Sequence, residues 1–265
     1  MRYKVFIYIL LLALVSSCGQ YEKVLKSTDY QYKYKKAVEY YNDGDFIRAA
    51  TILDQVYDVF RGTVKADTVA YYRAESYYHQ NDYIMASHYF EELANTFPNS
   101  VYEEESSFMT GYCYYKLSPR PSLDQEYTFK AVNTLTLFLI NHPSTTRVDE
   151  ANRIILDMRE KLVEKSFLNA KLYFDLGDYK SAIIALRNSL GDFPNTEHRE
   201  ELMFLILKSS YLLAEHSVES KKLERYQSTV DEYYSFIGEF PEGEYADEAK
   251  DIYKDSMKSL GQEVN

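Results

Sequence analysis

The 265-residue chain has no tryptophan, two cysteines, six prolines and nine glycines. Glycines this few, scattered at turns, leave no phosphate-cradling loop or dinucleotide fingerprint, and no Gly-x-Ser-x-Gly elbow occurs. The five histidines, His79, His88, His142, His198 and His216, never pair at the i, i+4 spacing that sets two metal ligands on one helix face. Catalysis, cofactors and bound metal are therefore not expected. Basic residues are in deficit, 30 against 41 acidic, for a net charge of −11. Nucleic acid is held through Lys and Arg, so it is excluded as a partner, and acidic membrane headgroups are disfavoured on the same ground. The apolar run from Val5 to Val15 is too short to cross a bilayer, which takes about 20 such residues.

That run has a different use. Arg2 and Lys4 precede it and Ser16, Ser17 and Cys18 follow it, the charged, apolar and small-residue order of an export signal. Val15-Ser16-Ser17-Cys18 resembles the bacterial lipobox, in which the cysteine is acylated and becomes the first mature residue. Residues 1–17 are expected to be a removable lipoprotein signal peptide, with a covalent lipid on Cys18 and a tether over 18–29. Several acyl chains hold a protein on a membrane without spanning it. Removal of 1–17 leaves 28 basic residues against 41 acidic ones, a net of −13. It also leaves Cys113 with no disulfide partner, so Cys113 is read as a small buried hydrophobe.

What the chain has in quantity is 28 tyrosines and 14 phenylalanines, ample for a large core, and they recur in register. Ala86/Pro98, Ala131/Pro143 and Ala182/Pro194 are each 12 apart, while Phe46/Phe60, Tyr83/Phe97, Tyr179/Phe193 and Tyr226/Phe240 are each 14 apart. Upstream, Ala37 with Tyr40, Ala74 with Tyr77 and Ala170 with Tyr173 repeat a small residue followed by tyrosine at +3. The frame resembles the tetratricopeptide repeat (TPR), in which small residues let paired helices approach and proline ends the second helix. Polar turns at Asp43-Gly44-Asp45, Asn81-Asp82 and Gly177-Asp178 separate the helices of a pair. The fold class is therefore all-α, a TPR-like α-solenoid of about five helix pairs.

Two departures organise the chain. Gly111 and Ala131 are 20 apart instead of 12, so an insertion including Ser118-Pro119-Arg120-Pro121-Ser122 is a candidate contact loop. Ile154, Ile155, Met158, Leu162 and Val163 keep a helical period through Val148–Lys165 that continues into the fourth pair, a long connecting helix. Residues 30–145 thus hold repeats 1–3, and residues 146–265 the connecting helix, repeats 4 and 5 and a capping helix from Ala246 to Leu260. In the fifth pair, Lys221-Lys222 is read as turn. Glu103-Glu104-Glu105 opens a helix, where carboxylates complement the helix dipole. Most tyrosines fall at repeat seams, while Tyr71 and Tyr78 are assigned to the groove, where a phenolic ring suits peptide capture.

A lipobox, five such repeats, a spacer in the third and a long helix before the fourth together resemble the BamD family of outer-membrane assembly lipoproteins. The wording is nearest from Phe108-Met109-Thr110-Gly111 through Asn141-His142-Pro143 and Asp149-Glu150-Ala151 to Gly177-Asp178-Tyr179. The resemblance implies an outer-membrane, lipid-anchored protein on the periplasmic face, within the machinery that folds and inserts β-barrel proteins. It implies amino-terminal repeats that receive unfolded barrel proteins, and carboxy-terminal repeats that dock a β-barrel assembly subunit with periplasmic repeat domains. Arg120, Asp178 and Asp192 join Tyr71 and Tyr78 as partner-binding candidates. Some members carry arginine where this chain has Gly191, ahead of Asp192-Phe193-Pro194, so docking here uses different charges. A scaffold for cell-wall enzymes and a glycan-binding outer-membrane lipoprotein are the alternatives.

Overall fold

The computed structural model describes residues 19–262. Cys18 and the expected signal peptide, residues 1–17, lie outside them. Eleven long helices follow one another: α1 Tyr30–Asn42, α2 Phe46–Phe60, α3 Ala66–His79, α4 Tyr83–Thr96, α5 Glu103–Leu117, α6 Glu126–Asn141, α7 Val148–Asp175, α8 Tyr179–Asp192, α9 Arg199–Glu215, α10 Glu219–Glu239 and α11 Ala246–Ser259. The chain is all-α and TPR-like. It divides into two compact units, residues 19–119 with 125–158, and residues 120–124 with 159–262. Among the described residues no helix is long and apolar enough to cross a membrane.

The polar turn inside a pair is built the same way each time. Gly44 and Gly177 take φ of +77° and +76°, and Asn81 takes +60°, the left-handed conformation that ends a helix. The next residue, Asp45, Asp82 or Asp178, donates its backbone N–H back to the carbonyl of Tyr40, Tyr77 or Tyr173. Its carboxylate then accepts the N–H of Arg48, Met85 or Ser181 and so caps the following helix. The small residues at Ala37, Ala74, Ala86, Ala131 and Ala182 are fully buried. A Cβ on Gly111 would lie 2.7 Å from Leu135 Cδ2 and Cγ, so the third pair approaches more closely than an alanine allows.

A second recurrence lies between pairs. The segments Phe60-x-x-Thr63-x-Lys65, Phe97-x-x-Ser100-x-Tyr102, His142-x-x-Thr145-x-Arg147, Phe193-x-x-Thr196-x-His198 and Phe240-x-x-Gly243-x-Tyr245 share one turn. In each, the fourth residue's N–H donates to the first residue's carbonyl. In the first four, the Ser or Thr hydroxyl accepts the N–H of the last residue. That last residue lies on the aromatic ring of the preceding first helix. Lys65 sits 5.1 Å from Tyr34, Tyr102 stacks at 4.3 Å on Tyr71, and Arg147 lies 4.3 Å from Phe108. His198 stacks at 4.1 Å on Phe167, and Tyr245 at 4.5 Å on Phe204. Offset rings and cations over ring faces are favourable by about 0.5–1.5 kcal/mol each, and they fix one pair against the next.

Two elements differ from the sequence reading and a third extends it. Residues 19–26, expected to be tether, are helical, and Val24 is buried at 1% exposure within the first core. Eight residues of weak periodicity give no helical signal when only one of them, Val24, is buried. The helical period over Val148–Lys165 does continue into the fourth pair: α7 runs unbroken for 28 residues and is itself the first helix of that pair. Lys221 and Lys222 lie in the first turn of α10 and not in a turn.

Candidate functional site

The first helices of the three pairs in the first unit each carry a row at i, i+4, i+7, the spacing that shares one helix face. The rows are Tyr34, Val38, Tyr41 on α1; Tyr71, Glu75, Tyr78 on α3; and Phe108, Tyr112, Tyr115 on α5. They adjoin. Tyr41 Oη donates to Glu75 Oε2 at 3.4 Å, Tyr41 meets the ring of Tyr72 at 4.8 Å, and Tyr78 lies 6.3 Å from Tyr112, which lies 5.7 Å from Tyr115. All six tyrosines of these rows are half-buried, so the face offers ring area and hydroxyls together. Each such ring is amphipathic, apolar in its body and wet at its tip.

Glu75 is the one carboxylate in these rows and is 9% exposed. Burial raises its carboxyl above the ordinary value, against the favourable field of His79, whose Nε2 is 3.3 Å away. The phenols answer the same environment: burial raises Tyr41 and Tyr71, with Glu75 adding to it, and pushes Tyr78 up to about 12. The face is therefore neutral apart from one buried acid. Beneath it, Arg73 bonds Asp54 at 2.6 Å and lies 3.7 Å from the centre of Tyr89, while Tyr77 donates to Asp54 and Tyr57 to Glu92. That network holds α2, α3 and α4 together.

The second unit carries the same rows with a different middle residue. On α7 they read Phe167, Lys171, Phe174 and on α9 Phe204, Lys208, Tyr211. Lys171 bonds Glu201 at 2.5 Å and Lys208 bonds Glu248 at 2.8 Å, each ammonium also lying over its own row's ring. Where the first unit presents valine, glutamate and tyrosine, the second presents paired lysines.

Tyr71 and Tyr78 thus share a face, one helical turn either side of Glu75. Tyr71 is also stacked on Tyr102, so one of its faces is already used. Arg120 is exposed, in residues 120–124 that group with the second unit, where Lys165 Nζ donates to the Ser122 carbonyl at 3.1 Å. Asp178 is the cap of α8, its carboxyl lowered by the Ser181 hydroxyl and N–H. Asp192 is the last residue of α8, a helix length of about 20 Å from Asp178, so the two do not form one site. The three glutamates at the start of α5 have partners besides the helix dipole. Glu103 faces His142 at 3.4 Å, Glu104 accepts from Thr145 at 2.7 Å, and Glu105 binds Arg147 through two nitrogens. Sequence reasoning missed Glu75 and Arg147; the recurring turn that ends at Arg147 was the available signal. Cys113 is free and buried, its thiol pushed up to about 12 by burial. Among the described residues no cluster of His, Cys, Asp and Glu suits a metal ion.

Stacked helix pairs that present half-buried rings and polar rows along shared faces have the architecture of a protein-binding repeat scaffold. The sequence model of the YfiO family, described as outer membrane lipoprotein, matches residues 27–223, and the chain belongs to that family. No curated protein matches it in sequence. Among solved structures it is similar to the TPR2AB domain of yeast Sti1, recorded in complex with pHSP90. Identity there is 15%, over 86% of this chain and 98% of that one, with a TM-score of 0.38. A putative kinesin light chain from Podosopora anserina, with nearly identical TPR-like repeats, is similar at 13% identity over 77% and 94%, TM-score 0.34. Both superpose loosely, and the fold assignment stands on the chain's own helix pairs.

Proposed function

We propose that this outer-membrane lipoprotein is a component of the machinery that folds and inserts β-barrel proteins. In this reading it is a scaffold anchored by lipid on Cys18 at the periplasmic face, and it does no chemistry. The observation that carries the reading is the contrast between the two sets of rows. The tyrosine face of α1, α3 and α5 suits an extended client segment with aromatic side chains, which needs ring area and hydrogen-bonding tips at low entropic cost. The lysine–glutamate pairs on the rows of the second unit suit a folded partner with a polar surface of alternating charge, here the barrel-forming subunit with periplasmic repeat domains. An anchor raises the effective concentration of both surfaces beside their partners, so modest contacts suffice.

The test is photo-crosslinking in envelopes, with the label placed at Tyr78 in one chain and at Lys208 in another. Unfolded barrel proteins should be captured from Tyr78 and the barrel-forming subunit from Lys208. Capture of wall enzymes from both positions, with no barrel protein, would contradict the proposal.

A further inference from the structure

We propose that the amino-terminal end of the first unit, residues 19–36, seats on a phospholipid surface bearing anionic headgroups. The inference rests on Cys18 being the lipidated residue. Adjacent Cα atoms are about 3.8 Å apart, and the packed structure starts at once after Cys18. Residues 19–26 are helical, Val24 is 1% exposed, and Tyr21 is held edge-on by Tyr40 at 5.8 Å and by Arg48 at 5.1 Å. An acyl group on Cys18 therefore has no slack chain between it and the fold. The end of the unit is held within a few residues' reach of the headgroups.

The side chains at that end fit such a neighbour. Residues 19–36 contain five lysines against Glu22 and Asp29, in a chain whose net charge is −11. Lys33 is buried and donates to Gln55, so it takes no part. Lys23, Lys26 and Lys35 are exposed, and among the described residues Lys23 and Lys35 have no ion-pair partner. Tyr32, Lys35 and Lys36 share the outer face of α1 at i, i+3, i+4 spacing. Tyr32 and Lys36 line one crevice with Gln20 and Lys23 of the first helical segment, which brings both segments to a single surface; Glu39 and Asp43 line its other side, and Glu39 pairs with Lys36, so Lys23 and Lys35 are the lysines left to meet headgroups. Tyr32 is 40% exposed, and a phenolic ring favours the headgroup level. Each lysine near an anionic leaflet adds about fivefold to binding. The acidic remainder is repelled by the same leaflet, so charge orients the molecule with this end down. The whole-chain charge, which disfavoured acidic headgroups, averages over this local excess.

The experiment places the purified lipidated chain in nanodiscs of phosphatidylcholine alone, or of phosphatidylcholine with an equal part of phosphatidylglycerol, and reads hydroxyl-radical labelling of tyrosines. Tyr234, 56% exposed on α10, is the internal reference. On anionic discs Tyr32 labelling should fall about threefold or more relative to Tyr234, and Lys23→Gln with Lys35→Gln should restore it while the chain stays on the disc. Equal labelling of Tyr32 on both lipids, or protection that survives the two substitutions, overturns the proposal. Intact mass of the same sample reads acylation separately: a chain without acyl groups overturns the anchor reading, whatever the footprint.

Discussion

Replacing Gly243 with serine should destabilise the second unit, and replacing Glu200 in the same chain should add little further loss. In four of the five turns between pairs a Ser or Thr hydroxyl accepts the N–H of the stacking residue. The fifth has Gly243 there, and Glu200 Oε1 takes the Tyr245 N–H at 3.2 Å instead. A Cβ on Gly243 would stand 2.7 Å from Glu200 Cδ and closer still to Oε1, where carbon contacts prefer about 3.5–4.0 Å. The serine therefore displaces the carboxylate. A charge-assisted hydrogen bond of about 1.5–3 kcal/mol is exchanged for a neutral one of about 0.5–1.5 kcal/mol, a net loss near 1 kcal/mol. Glu200→Ala alone leaves the Tyr245 N–H without its acceptor and costs about 1–2 kcal/mol by the same reasoning. With both changes the hydroxyl enters an emptied site, so the two losses should not add, and the coupling should be about 1–2 kcal/mol. Urea unfolding of the four chains, followed by far-ultraviolet circular dichroism with the slopes compared, measures it. Additive losses would refute the exchange of carboxylate for hydroxyl.

Gly111→Ala should lose up to about 2 kcal/mol, because overpacking against the fully buried Leu135 outweighs the gain of about 1 kcal/mol in helix propensity. Gly191→Ala, with open space at its Cβ, should instead be neutral or gain up to about 1 kcal/mol; midpoints of thermal unfolding compare them. Burial holds the Glu75 carboxyl above its ordinary value, so above the ordinary carboxylate range the unfolded chain has released a proton that the native chain resists losing. Its contribution to stability therefore falls as pH rises through that window. Glu75→Gln should accordingly stabilise the protein at pH 7 and leave it unchanged at pH 3, and an equal effect at both would count against the burial argument. Arg147→Leu, which forfeits the bonds to Glu105 and Glu150, should cost about 1–3 kcal/mol in the same unfolding assay. The Cys113 thiol should resist iodoacetamide at pH 8 in the native chain and react at once in denaturant.

The helix pairs were legible because their signals are local. The glycine or asparagine that ends one helix, the aspartate that caps the next and the proline that stops it all act within a few residues. The positions of Ala37, Ala74, Ala131 and Ala182 followed from the same register. The stacking contacts were not legible, since Tyr102 meets Tyr71 and His198 meets Phe167 across 31 residues, and the partner types change from lysine to tyrosine to arginine to histidine. What they share is a turn, visible only as a spacing of Phe or His, then Ser, Thr or Gly. The tyrosine face was half visible: Tyr71 and Tyr78 were assigned to it, but the buried Glu75 between them was not, because a glutamate at a helical seam reads as solvated until its neighbours are known. At the amino terminus the net acidic composition averages over five lysines within residues 19–36.

The central claim is that this outer-membrane lipoprotein is a scaffold of β-barrel assembly. Affinity purification of the chain from envelopes in mild detergent, with mass spectrometry of its partners and of its amino terminus, tests it most directly. The account predicts an acylated Cys18 and recovery of a large β-barrel subunit with periplasmic repeat domains. Recovery of wall enzymes or a glycan transporter in its place would contradict it.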